Sequence, residues 1–126
     1  MKALILVNVL LLMCLGSAEA QEVRPDSLYI VTYTTGPSWD MTKPPNDQPF
    51  FKEHSANLSK LRKDGVIKAG ARYGDKGIIF IAAESLHAAK EIVFADQAVV
   101  SKLFNAEVQK LNIFYDGCIE RPKKDK

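Results

Sequence analysis

The sequence predicts an α+β domain, a four-stranded antiparallel sheet with two helices on one face, in the order β-α-β-β-α-β. Three observations predict it. Residues 27–35 (SLYIVTYTT) are β-branched and aromatic on both alternations, as in a strand that is apolar on both faces. Apolar residues recur at helical spacing in two later stretches, around residues 51–61 and 86–93. Between them, Gly74-Asp75-Lys76-Gly77 separates two short apolar runs, the signature of a hairpin.

Each element follows from local chemistry. Ser27–Thr35 is the first strand, and Gly36–Pro49 (GPSWDMTKPPNDQP) is a long Pro-rich loop. Asp47 is expected to cap the first helix with Pro49 in its first turn, and Gly65 to close it after Asp64. Phe51, His54, Leu58 and Leu61 then share the core side, while Lys52, Glu53, Lys60, Arg62 and Lys63 face water. Val66–Tyr73 and Ile78–Ala83 form the hairpin strands. Ser85 caps a second helix in which Leu86, Ala89, Ile92 and Val93 recur up to Asp96. A shorter helical piece is expected over Val99–Phe104. The last strand is expected over Glu107–Tyr115, with Leu111, Ile113 and Tyr115 alternating against Lys110, Asn112 and Phe114.

Two right-handed β-α-β crossovers interleaved in this way give the ferredoxin-like sandwich. Tyr29, Val31 and Tyr33 make one side of strand one apolar, and Leu28 and Ile30 the other. No third layer remains in the chain to cover the second side. The expected cover is the sheet of a second copy, so the protein is expected to be a homodimer through the sheet face.

Residues 1–20 belong to a different function. Lys2 gives a positive start, Ala3–Leu15 is an apolar run broken by Asn8, and Gly16-Ser17-Ala18-Glu19-Ala20 is a small-residue exit. This is the layout of a secretory signal peptide cleaved after Ala20, and its apolar run is shorter than the ~20 residues of a spanning helix. The mature protein is expected to be exported, periplasmic or secreted, with no membrane attachment after cleavage. Of 126 residues, 106 then remain; Lys2 and Glu19 leave together, so 17 basic and 15 acidic side chains become 16 and 14. That is one domain, residues 21–120, followed by a basic tail, residues 121–126. The charges are mixed in sign along the chain, which argues against nucleic acid as a partner. Cys14 leaves with the signal peptide, so Cys118 has no intrachain partner for a disulfide. Asn57-Leu58-Ser59 matches a glycosylation acceptor but falls within the first helix.

His54 is the residue that asks for a function, since an imidazole on an apolar helix face must be desolvated, paired or used. The topology places the start of the first helix, the hairpin turn and the end of the second helix at one end of the domain. That end collects His54, Asp75, Asp96 and the loop with Trp39 and Asp40, an assembly suited to acid/base chemistry on a small molecule. Arg72, from the end of strand two, is placed to hold an anionic substrate, and Trp39, Phe51 and Tyr73 to wall the pocket. No metal is expected, because His54 and His87 lie on different elements, and no cofactor, because there is no phosphate-cradling glycine loop. A non-catalytic module that binds a small ligand, and a structural interaction dimer, fit the same residues.

Over Leu28–Phe114 the chain resembles the YCII-related proteins of the dimeric α/β-barrel superfamily. The resemblance is carried by His54 with Leu58 and Leu61, Lys63-Asp64-Gly65, Ala69-Gly70, Gly77, Ser85-Leu86 with Ala88-Ala89, and Ala95-Asp96. It implies a homodimer and a His/Asp acid/base dyad, here His54 and Asp96, with Asp75 in reserve. It implies a lyase, isomerase or hydrolase type of reaction on a small polar or cyclic substrate. The chain departs from the family pattern at Phe51, where many members have Arg, and at Gln97, where many have Pro.

Overall fold

A computed structural model describes residues 27–123. The signal peptide expected over residues 1–20, residues 21–26 and the end of the basic tail over 124–126 lie outside the described residues. The elements are β1 (Ser27–Thr35), α1 (Phe51–Lys63), β2 (Ile67–Tyr73), β3 (Lys76–Ala83), α2 (Leu86–Phe94), α3 (Gln97–Val100) and β4 (Phe104–Leu111). The sheet order is β2-β3-β1-β4, and all three pairings are antiparallel. β1 and β2 are therefore parallel with β3 between them, an arrangement compatible with a ferredoxin-like fold.

The core lies between the sheet and the helices. Tyr29, Val31 and Tyr33 of β1 pack with Ile79 and Ile81 of β3, Val108 of β4, and Ala89 and Val93 of α2. Leu58 and Leu61 of α1 seal this cluster at its margin. Alternation leaves Leu28, Ile30, Ile78 and Phe80 on the other, helix-free face, partly covered.

β1 and the Ser85 cap match the sequence-based expectation, the latter with Oγ accepting from the Ala88 N–H at 3.0 Å. Three expectations are corrected. Asp47 does not cap α1: it ends a 3-10 turn at Pro45–Asp47, and the residue before the helix is Phe50, in the left-handed region at φ 64. A bulky side chain there is unusual, and the strain sits beside the candidate site. The third helix is Gln97–Val100 rather than Val99–Phe104, because Asp96 caps it from Ala98 and Lys102, at φ 65, ends it. The last strand starts three residues earlier than expected and stops at Leu111, because β1 supplies partners only from Thr35↔Phe104 to Leu28↔Leu111. Its core-facing residues are consequently Phe104, Ala106 and Val108, while Ile113 and Tyr115 are exposed.

Two glycines position the ends of the site. A Cβ on Gly36 would lie 2.1 Å from the Lys102 carbonyl oxygen, so only glycine lets the loop after β1 lie against the start of β4. Gly74 (φ 54) opens the two-residue Gly74-Asp75 turn that joins the paired Tyr73 and Lys76, as in a type II′ hairpin. Among the described residues, no helix is long and apolar enough to cross a membrane.

Candidate active site

His54 stands in the first turn of α1, facing the sheet, and is 7% exposed. Its Nδ1 lies 3.1 Å from Oδ2 of Asp96, which is 3% exposed at the junction of α2 and α3. The same Oδ2 accepts from Asn57 Nδ2 at 2.7 Å, and Oδ1 accepts from the Ala98 N–H at 2.9 Å. Asp96 thus caps α3 and ties α1 to it. Burial pushes the Asp96 carboxyl up, but hydrogen bonds from His54 and Asn57, the His54 charge and the Ala98 N–H outweigh it and hold the group below its ordinary 3.8.

An ionised carboxylate can only accept, so the proton between the two side chains belongs to Nδ1. In the neutral ring Nε2 is then an acceptor, oriented by Asp96. Among the described residues, Nε2 has no hydrogen-bond partner. Among the described residues, no buried side-chain nitrogen or oxygen lacks one, so Nε2 is open to solvent.

His54 borders a cavity of about 560 Å³, a size suited to a small ligand. It lies between α1, the hairpin end and the loop after β1, and His54 lines it together with Trp39, Phe51, Arg72 and Asp75. Five of the eight residues singled out in the sequence therefore share one cavity, and Asp96 stands behind His54. Tyr73 does not line it. Strand alternation puts Tyr73 opposite to Arg72, and the residue is 55% exposed, with the Lys76 ammonium 5.9 Å from its ring centroid. Asp40 is likewise committed to its own turn, accepting from Thr42 N–H at 2.9 Å and Thr42 Oγ1 at 2.6 Å.

Four contributors escape sequence reasoning. Phe104 lines the cavity and is its aromatic centre, with ring centroids 4.9 Å from His54 and 5.5 Å from Trp39. Tyr33 meets His54 edge-on at 5.3 Å, and burial together with the Asp96 charge pushes its phenol up, so it stays protonated and able to donate. Asn57 sits one helical step beyond His54, a spacing that was the available signal. Gln48, 4% exposed, pins the roof: Oε1 accepts from Asp40 N–H at 3.0 Å, and Nε2 donates to the Asp40 and Lys43 carbonyls at 2.6 and 3.0 Å. Gln48→Ala is expected to cost about 1–2 kcal/mol in denaturant unfolding and to speed amide exchange in residues 39–43, because three bonds to the loop backbone are lost.

The Asp96 shift also fixes the sign of an acid dependence. A carboxylate whose folded value is depressed adds stability above its unfolded value and loses it as the pH falls through the folded one. Stability should therefore decline below about pH 4, and Asp96→Asn should flatten that part of the urea midpoint-against-pH curve.

Among the described residues, no three histidine, cysteine or carboxylate side chains converge as metal ligands. No protein-family model and no curated protein matches the chain.

Proposed function

We propose that the protein is an exported, YCII-like acid/base enzyme of lyase, isomerase or hydrolase type. It acts on a small polar or cyclic molecule, as a homodimer of dimeric α/β-barrel type. The observation that carries the reading is the His54–Asp96 pair, with Nδ1 held by a buried carboxylate and Nε2 left free toward a cavity. In this reading Nε2 takes a proton from the ligand, Asp96 stabilises the resulting imidazolium, and the proton returns to the leaving group or to a neighbouring atom. Arg72 at the mouth receives an anionic group, and Trp39, Phe51 and Phe104 enclose the rest. Export is supported by the layout of residues 1–20, and the dimer by the apolar face that Leu28, Ile30 and Phe80 share.

The test is a panel of small cyclic and anionic compounds, followed by NMR for turnover and by thermal shift for binding. Turnover by the wild type that is lost in His54→Gln supports the enzyme. Binding that survives His54→Gln, with no turnover by the wild type, makes the protein a ligand-binding module, a role favoured by Phe51 in place of the family's cationic side chain.

A further inference from the structure

The cavity holds a second buried polar residue besides His54. Among the polar side chains that line it, Thr35, Ser55, Arg72 and Asp75 are exposed, whereas Tyr33 and His54 are each only 7% exposed. Tyr33 stands on the helix side of β1, in line with Tyr29 and Val31. Its partner across the sheet is Gly77, and Gly77 is paired in turn with Arg72. One cross-strand row therefore reads Tyr33, Gly77, Arg72, about 10 Å from end to end at the usual strand spacing. The glycine between them leaves bare backbone, since a Cβ on Gly77 would have no neighbour nearer than Tyr33 Cβ at 4.0 Å. The cavity floor is open from the phenol to the guanidinium, and His54 stands at the Tyr33 end, with ring centroids 5.3 Å apart.

The Tyr33 hydroxyl is uncommitted. Burial and the Asp96 charge push its ionisation up, no hydrogen bond contributes, and the group is held as O–H. Among the described residues no buried side-chain oxygen lacks a partner, so Oη is not sealed in apolar packing either. The open space that Tyr33 borders is the cavity. A buried donor fixed beside a base stabilises a developing oxyanion more than an exposed, solvent-screened cation such as Arg72 can.

We propose that Tyr33 is a catalytic residue of this site, its hydroxyl donating to a carbonyl oxygen of the substrate while His54 Nε2 takes a proton from the carbon beside that carbonyl. The C–H bond breaks and the imidazolium N–H bond forms. The electron pair makes a carbon–carbon double bond and displaces the carbonyl π pair onto oxygen, where Tyr33 O–H holds the enolate. The imidazolium then returns the proton to carbon, so no co-reactant is consumed. The inference rests on the acid/base reading above and narrows its substrates to small carbonyl compounds with an acidic C–H, their anionic group at the Arg72 end of the row.

The probe is para-nitrophenol, whose oxygen mimics the enolate and whose ionised form absorbs visible light. Its proton passes to Nε2, and Tyr33 O–H holds the phenolate. At a pH where the free probe is mainly phenol, the wild type should bind it mainly as phenolate. Tyr33→Phe keeps the ring beside His54 and Phe104 and should lower the bound phenolate-to-phenol ratio about tenfold or more. His54→Gln should lower it as well. A tyrosine that only packs would change the affinity for both forms alike, so an unchanged ratio in Tyr33→Phe overturns the donor. The acid/base reading survives that result if the ratio still falls in His54→Gln. A wild type that binds the probe as phenol, or does not bind it, overturns both. A measurement on the unaltered protein does not depend on the folding of a variant: the Tyr33 hydroxyl proton should appear far downfield in the NMR spectrum when the phenolate is bound, and its failure to do so overturns the donor.

Discussion

Asp96→Ala is expected to lower the unfolding free energy by about 3 kcal/mol or more, measured by urea denaturation. Three donors point at this carboxylate from two helices: His54 Nδ1, Asn57 Nδ2 and the Ala98 N–H. Loss of a helix cap costs about 1 kcal/mol, and each buried donor left unpaired costs about 1–3 kcal/mol. The sum is not additive, because removing the carboxylate lets water reach Asn57. Asp96→Asn should be milder, since an amide oxygen still accepts from Ala98. A loss below about 1 kcal/mol for Asp96→Ala would mean that the α1–α3 junction is held by its apolar neighbours.

His54→Gln is expected to reduce kcat by about 10²–10⁴-fold on any substrate the panel identifies, the usual worth of a positioned general base. KM should change little if Arg72 and the aromatic wall do the binding. Glutamine keeps a polar group that can reach Asp96, so the helix junction is retained and the loss reports chemistry rather than unfolding. A variant with wild-type kcat and a weakened KM would instead assign His54 to binding.

The pairing of His54 with Asp96 across 42 residues was legible for a physical reason. Helical periodicity put an imidazole on the core side of α1, and element order put the end of α2 at the same end of the domain. Local rules of this kind also recovered β1, the hairpin and the Ser85 cap. What stayed hidden depends on register or on a single long-range contact. Phe104 reaches the cavity only because β4 pairs from Thr35↔Phe104 onward, and a strand placed three residues later assigns it to a helix. The alternation of Leu111, Ile113 and Tyr115 is real in the sequence, but beyond Leu111 no β1 residue is paired with it. Gln48 carries no periodic signal, since its role is to satisfy backbone groups of a loop whose path no local pattern specifies. Asp47 has the residue type of a helix cap, and the 3-10 turn at Pro45–Asp47 takes it up before the helix begins.

The most direct test of the central claim is the protonation of the two His54 ring nitrogens at neutral pH, read from their ¹⁵N shifts in wild type and in Asp96→Asn. The expected wild-type result, in the neutral form of the ring, is the proton on Nδ1 with Nε2 bare, and part of the population moving to Nε2–H in Asp96→Asn as the new amide donates to Nδ1. A wild-type ring protonated on Nε2 with Nδ1 bare would contradict the account, because the nitrogen facing the ligand would then be a donor with no base behind it.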